Sequence, residues 1–151
     1  MNLNIGDKAP DFNLKDQNGN DVSLDSLKGK RVILYFYPKD DTPGCTVEAC
    51  NFRDDFSLYT DRNTVILGVS PDGEQSHQKF IKKFDLPYSL LCDEDHSVAE
   101  KYGAWGEKNM YGRKYMGIIR TTVQLDKDGI IEQVYEKVKA KIHSKEIRDT
   151  I

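Results

Sequence analysis

The chain has 151 residues, 38% of them hydrophobic, with 25 acidic against 22 basic side chains for a net charge of -3. That length suits one domain with a single core, the slight acidic excess offers no basic field to nucleic acid or an anionic membrane, and no apolar run approaches the roughly 20 residues that span a bilayer. Three cysteines are too few, and odd in number, for a secreted disulfide scaffold, and MNLNIGDKAP has no charged-then-apolar leader, so the chain is expected in the cytoplasm.

From the amino end, FNLKDQNGNDVSL alternates apolar and polar residues about Asn18 and Gly19, the pattern of a β-hairpin that would cover one edge of the core. Six β-formers, Val32 to Tyr37, predict a fully buried strand, which Pro38 closes. Thr42 is placed to cap a helix with Pro43 in its first turn. Glu48, Ala49, Phe52, Phe56 and Tyr59 keep helical spacing, so one helix is predicted over roughly 43–60. TVILGVSP reads as a second buried strand, and GEQSHQKFIKKFDL as an amphipathic helix with Phe80, Ile81 and Phe84 on one face. PYSLLCD is a short strand, and DHSVAEKYGA a short helix capped by an Asp or His and ending at Gly103. The Gly- and Lys-rich stretch up to Gly117 reads as a loop. IRTTVQLD and IIEQVYEKV, split by Lys127, Asp128 and Gly129, form a second hairpin, and SKEIRDTI closes the chain as a short helix. Alternating strands and helices are an α/β signature.

Two of the three cysteines lie in TPGCTVEAC, Thr42 to Cys50. Cys45 falls in the first turn of the predicted helix, where free backbone N–H groups and the positive end of the helix dipole favour an anion. It is therefore expected to be an activated thiolate. It also follows a strand's carboxyl end, where open α/β sheets bind ligands. Cys50 lies further along the same helix, and an unbroken helix holds the two Cα atoms about 8.6 Å apart. A disulfide tolerates roughly 7 Å at most, so a bond between them requires at least a turn to unwind.

The stretch YFYPKDDTPGCTVEAC closely resembles the active-site segment of peroxiredoxins of the bacterioferritin-comigratory, or Q, type. Pro38, Thr42 and Cys45 stand at the family's Pro-x-x-x-Thr-x-x-Cys positions, and GIIRTTVQLD resembles its arginine-bearing strand, with Arg120. The similarity continues through FRDDF, LLCDEDHSVAEKYGAWGEK and VYEKVKAKIH, and so covers essentially the whole chain. Gln124 before Leu125 departs from it, where hydrophobic residues are usual, a difference that touches packing.

This resemblance implies a thioredoxin-like fold with an added N-terminal β-hairpin, its central mixed sheet flanked by helices, in a single domain over residues 1–151. It implies a thiol peroxidase for hydrogen peroxide and organic hydroperoxides, with Cys45 peroxidatic, Cys50 resolving, and Thr42, Arg120 and Pro38 completing the catalytic set. Thiolate attack on a peroxide yields a sulfenic acid, and a fixed guanidinium favours both the thiolate and the departing oxygen. The Thr42 hydroxyl would bond the thiolate or the peroxide, Pro38 would limit water, and Glu48 would help position water or protons. The resemblance further implies recycling by thioredoxin or a similar dithiol protein, no metal or organic cofactor, and a monomer, although exposed aromatic residues also suit a dimer.

Each residue has a plainer reading beside this one. Cys50 can be a small hydrophobe on a buried helix face, and Cys92, ending an apolar run, a structural buried thiol; its functional reading is a backup resolving thiol or a partner thiol in oxidised dimers. Arg120 can be a solvated strand arginine, against which the flanking GII and TTV argue. Thr42 can be an N-cap alone and Glu48 a solvated first-turn acid. His77, His96 and His143 read as surface histidines. Two other functions stay open. A thioredoxin-like disulfide oxidoreductase would lack its usual C-x-x-C pair. A zinc-binding module built on Cys45, Cys50, Cys92 and His96 would lack the close cysteine spacing of metal knuckles. No Gly-rich phosphate loop supports a nucleotide or flavin site.

Overall fold

The hairpin expected at Asn18 and Gly19 forms, with strands β1 (Asn13–Lys15) and β2 (Asp21–Ser23) pairing antiparallel. Gly19 turns the chain at φ 79°, and Asp16 Oδ1 accepts the N–H groups of Asn18 and Asn20. The computed structural model describes residues 3–136 and Ile147. A short 3-10 turn, Asp25–Leu27, leads into β3 (Arg31–Phe36). Its apolar run is continuous because both faces are covered. Val32, Leu34 and Phe36 enter one core layer with Ala9, Phe12 and Tyr102; Ile33, Tyr35 and Tyr37 enter the other with Cys45, Ala49 and Phe52.

The predicted single helix over roughly 43–60 is two: α1 (Pro43–Asp54) and α2 (Phe56–Asp61), parted at Asp55, whose ψ of 6° leaves the helical range. Apolar spacing runs unbroken through the bend, and the Phe52 and Tyr59 rings still lie 5.9 Å apart across it, so periodicity gave no sign of the break. Next come β4 (Thr64–Ser70), α3 (Glu74–Phe84), β5 (Ser89–Cys92) and α4 (Ser97–Lys101). His96 stands at the N-cap of α4, but the capping group is the Asp93 carboxylate, which accepts the N–H groups of Val98 and Ala99.

The stretch read as a loop up to Gly117 is instead a two-stranded hairpin apart from the main sheet, β6 (Trp105–Met110) with β7 (Arg113–Ile118). The second expected hairpin holds as β8 (Thr121–Leu125) and β9 (Ile131–Glu136). Gln124 is buried without penalty because its Nε2 donates to Glu132 Oε2 at 2.7 Å, and Glu132 in turn pairs with Arg31. The closing helix predicted in SKEIRDTI lies outside the described residues except for Ile147, which is buried.

The main sheet runs in the order β2-β1-β5-β4-β3-β8-β9, with β3, β4 and β5 parallel and the other pairings antiparallel. It is the mixed sheet, with helices packed against it, that the resemblance implied. No helix among the described residues is long and apolar enough to cross a membrane.

Gly68 of β4 is what lets α1 lie close to the sheet. A Cβ there would stand 2.7 Å from Leu90 Cδ2 and 2.9 Å from the Tyr35 ring, which itself stacks on Phe52 of α1 at 4.8 Å. Gly68→Ala is expected to destabilise the fold by about 1–3 kcal/mol through overpacking, read by urea denaturation. A loss below about 0.5 kcal/mol would mean that Tyr35 repacks freely.

Candidate active site

The register of the sheet brings the site together. Phe36 at the end of β3 pairs with Thr121 at the start of β8, so Arg120 lies beyond the same end of the sheet from which the chain enters α1. Gly44, in the first turn of α1, makes room for the guanidinium: a Cβ there would lie 3.3 Å from Arg120 Nη2. Arg120 then donates from Nη2 to Cys45 Sγ at 3.3 Å and from Nη1 to Glu48 Oε1 at 2.6 Å. Cys45 is 1% exposed and Glu48 fully buried. One cation is thus shared by two acids.

The sharing is unequal. Burial pushes the Glu48 carboxyl up to about 7, against which Arg120 pulls down without prevailing. Its second oxygen, Oε2, is buried with no hydrogen-bond partner among the described residues, so nothing but Arg120 offsets the cost of burying its charge. For Arg120, burial works to lower the pKa, but the charges of Glu48 and Cys45 outweigh it and hold the group above its ordinary value. The reading of Arg120 as a solvated strand arginine is overturned, its side chain being only 17% exposed; so is that of Glu48 as a solvated acid.

Thr42 occupies the N-cap position, and its carbonyl accepts the first helical N–H, from Thr46, at 2.8 Å. Its hydroxyl does not cap the helix but donates to Lys39 O at 2.8 Å. That commits the hydroxyl proton and leaves the oxygen as an acceptor. Pro38, half-buried, begins the loop that Thr42 ends.

Cys50 is half-buried on unbroken α1, and all three thiols are free. Between Cys45 and Cys50 the helix is pinned from the sheet side: Tyr88 donates its hydroxyl to Ala49 O at 2.8 Å, so Tyr35, 2.9 Å from that hydroxyl, must be the donor to Tyr88. One turn on, Arg53 donates to Phe84 O at 2.7 Å. Cys92 sits apart, with β4 between its strand and β3. Burial first, then the charges of Glu74, Glu94, Asp40 and Asp16, push its thiol up to about 12, although the side chain is half-buried where a buried thiol was expected.

The expectation of surface histidines fails for His77, which is fully buried and bonded to Asp40 and Leu91. His96 is partly exposed and stacks flat on Trp105 at 3.7 Å, and His143 lies outside the described residues. His77 sits on the buried face of α3, at i−3 from Phe80; that spacing was the available signal of its burial. Cys45, Cys50, Cys92 and His96 do not form a ligand cluster. Among the described residues Asp40, Asp72 and His77 alone bring ligand atoms within 4.8 Å of one another, and hydrogen bonds already engage those atoms.

A family model described as the AhpC/TSA family matches residues 5–134. The peroxiredoxin Bcp of Bacillus subtilis is 47% identical over 100% of this chain and 96% of its own length. A structure of a mutant of the Xylella fastidiosa PrxQ superposes with TM-score 0.93 at 28% identity, covering 99% of this chain and 96% of that one. Another, from work on the alkyl peroxide reduction activity of the Xanthomonas campestris bacterioferritin comigratory protein, gives TM-score 0.87 at 33% identity over 92% of this chain and 88% of that one.

Because burial raises Glu48 from 4.5 to about 7, the folded protein keeps a proton that the unfolded chain gives up. The stability this contributes is complete below pH 4.5 and is lost as pH rises through 7. Glu48→Gln removes the titration, so the variant should lose less stability than the parent between pH 5 and 8, by on the order of 2 kcal/mol. Urea titration of the reduced proteins across that range reads it; parallel pH curves would show Glu48 ionised throughout.

Proposed function

The chain belongs to the AhpC/TSA family and is a thiol peroxidase of the peroxiredoxin type, in which we propose that Cys45 attacks the peroxide and Cys50 resolves the product. The observation that carries this reading is the 3.3 Å bond from Arg120 Nη2 to Cys45 Sγ at the first turn of α1. A cationic donor fixed on a buried sulfur supports a thiolate there and stays in place as charge moves to the oxygens.

In the first step the Cys45 sulfur bonds to one peroxide oxygen and the O–O bond breaks. The electron pair leaves with the other oxygen, which takes up a proton and departs as water or an alcohol, and Cys45 remains as sulfenic acid. Thr42, its proton committed to Lys39, accepts the O–H of the incoming hydroperoxide and so aligns it. Pro38 shields the entry to the loop. Glu48 positions the guanidinium, and its proton near neutral pH keeps the three-group cluster from carrying a net negative charge.

In the second step the Cys50 thiol attacks the sulfenic sulfur, forming the disulfide and releasing water. With α1 intact the Cα atoms are about 8.6 Å apart, so α1 must open before this bond forms. A dithiol protein of the thioredoxin kind then reduces the disulfide and is itself oxidised. Burial, and after it the acidic surroundings, hold the Cys92 thiol protonated and disfavour it as an alternative resolver.

Peptide mapping by mass spectrometry after one equivalent of hydrogen peroxide should find a Cys45–Cys50 bridge; a Cys45–Cys92 bridge would transfer the resolving role. Cys45→Ser should abolish turnover. Cys50→Ser should undergo one stoichiometric oxidation, lose thioredoxin-dependent cycling and proceed to sulfinic acid, whereas normal cycling in that variant would remove Cys50 from the mechanism.

A further inference from the structure

The loop from Pro38 to Thr42 decides where the Thr42 hydroxyl points, since that hydroxyl is aimed by the Lys39 carbonyl. Lys39 is exposed, and the anchor of the loop is the next residue. Asp40 is buried, its main-chain N–H donates to Asp72 Oδ2 at 2.8 Å, and its carboxylate gathers three side chains. Tyr37 donates to Oδ1 at 2.5 Å, Ser76 donates to Oδ2 at 2.8 Å, and His77 Nδ1 lies 2.7 Å from Oδ2. Asp41 follows with φ 56°, a left-handed backbone that costs a non-glycine residue about 1 kcal/mol or more and persists only where its surroundings hold it. Lys83 pairs with Asp41 Oδ2 at 2.8 Å. Ser76, His77 and Lys83 all belong to α3, whose other tie to the site is Phe84 O, the acceptor for Arg53 of α1.

His77 gives this clamp a defined geometry. Its Nε2 lies 2.9 Å from Leu91 O, and a carbonyl only accepts, so Nε2 carries a hydrogen. Nδ1 faces the Asp40 carboxyl, 2.7 Å from its Oδ2. The ring is thus held at both nitrogens, between β5 and the loop. A fully buried polar pair of this kind is a poor source of stability compared with apolar side chains of the same volume. Its position beside the loop suggests another use.

We propose that Asp40 and His77 are positioning residues for peroxide reduction, clamping the loop before α1 to α3 so that the Thr42 hydroxyl is preset to receive the peroxide. The proposal rests on the placing of Thr42 in the peroxide site given above. It concerns alignment and not the sulfur, which the clamp does not touch: Cys45 Sγ takes its hydrogen bond from Arg120 and lies in the first turn of α1.

Counting bonds from Cβ, an Asn amide nitrogen at position 77 falls near the place of Nδ1 and a Gln amide nitrogen near that of Nε2. His77→Asn therefore keeps a donor for Asp40 and loses the one to Leu91, whereas His77→Gln does the reverse. Both are built in the full chain with Cys50→Ser and Cys92→Ser, leaving Cys45 as its one thiol, and the single oxidation by hydrogen peroxide is followed by stopped flow. The second-order rate should fall on the order of 10- to 100-fold in His77→Gln, as for a misplaced positioning group, and stay within about threefold of the parent in His77→Asn. Alkylation of Cys45 by iodoacetamide, which needs the thiolate but not Thr42, should proceed at the parental rate in both. Equal peroxide rates in the two variants, whether both parental or both depressed, would overturn the proposal. So would alkylation falling in step with peroxide reduction. Thr42→Val measured alongside separates the two readings: an unaffected rate there overturns the placing of Thr42, and a slowed Thr42→Val beside a fast His77→Gln overturns the clamp.

Discussion

A single guanidinium serves two buried acids, and the arrangement of the protein around Arg120 follows from that shortage of positive charge. Cys45 and Glu48 lie one helical turn apart on the same face of α1, and both receive hydrogen bonds from Arg120. Were the cation sufficient for both, Glu48 would titrate in the ordinary carboxylate range. It stands instead at about 7, so after Arg120 has acted burial still outweighs it by roughly 3 kcal/mol. The carboxyl yields because it can hold a proton without losing its bond to the guanidinium. The sulfur is left with a donor of fixed charge. Gly44 and the pairing of Phe36 with Thr121 matter because they bring that one donor to the helix start.

The bonds that make the reactive state are also those that oppose its completion. On the proposed cycle α1 opens between Cys45 and Cys50, which loosens Glu48 from Arg120, Ala49 O from Tyr88 and, one turn on, Arg53 from Phe84 O. At about 1 kcal/mol net for each hydrogen bond, such an opening costs a few kcal/mol beyond the helix itself. This is the range of local unfolding that folded proteins sample continually. The bend at Asp55 limits its extent, because α2 and the Tyr59 ring beneath it need not move when the first helix unwinds.

Much of the fold was legible in the sequence where a local rule governs it. Asn18 and Gly19 make a turn, the run to Tyr37 is a strand buried on both faces, and Thr42 stands at the N-cap, all for reasons contained in a few neighbouring residues. Arg120 was reachable only through resemblance, since its approach to Cys45 depends on sheet register between segments 75 residues apart. The β6–β7 hairpin escaped because glycines and lysines resemble a loop when no apolar face marks the strand period. His77 escaped for a subtler reason. Its helix has a polar composition, and a histidine is read as exposed unless a partner is known. Its partner, Asp40, comes from a loop 37 residues away.

The three thiols show why residue type and exposure together still underdetermine reactivity. Burial alone disfavours any ionised thiol, and Cys45 is the most buried of the three, yet it is the one that a cationic donor meets. Cys92 is more open, yet the burial it has, and after that the charges of four carboxylates, push its thiol up to about 12. Cys50 sits half-buried on the intact helix, which on the proposed cycle must open before the thiol can reach Cys45. What distinguishes them is therefore the cationic donor at Cys45, burial and then neighbouring carboxylates at Cys92, and backbone geometry at Cys50. That division suits the proposed cycle, in which the first thiol acts at once and the second waits for α1 to open.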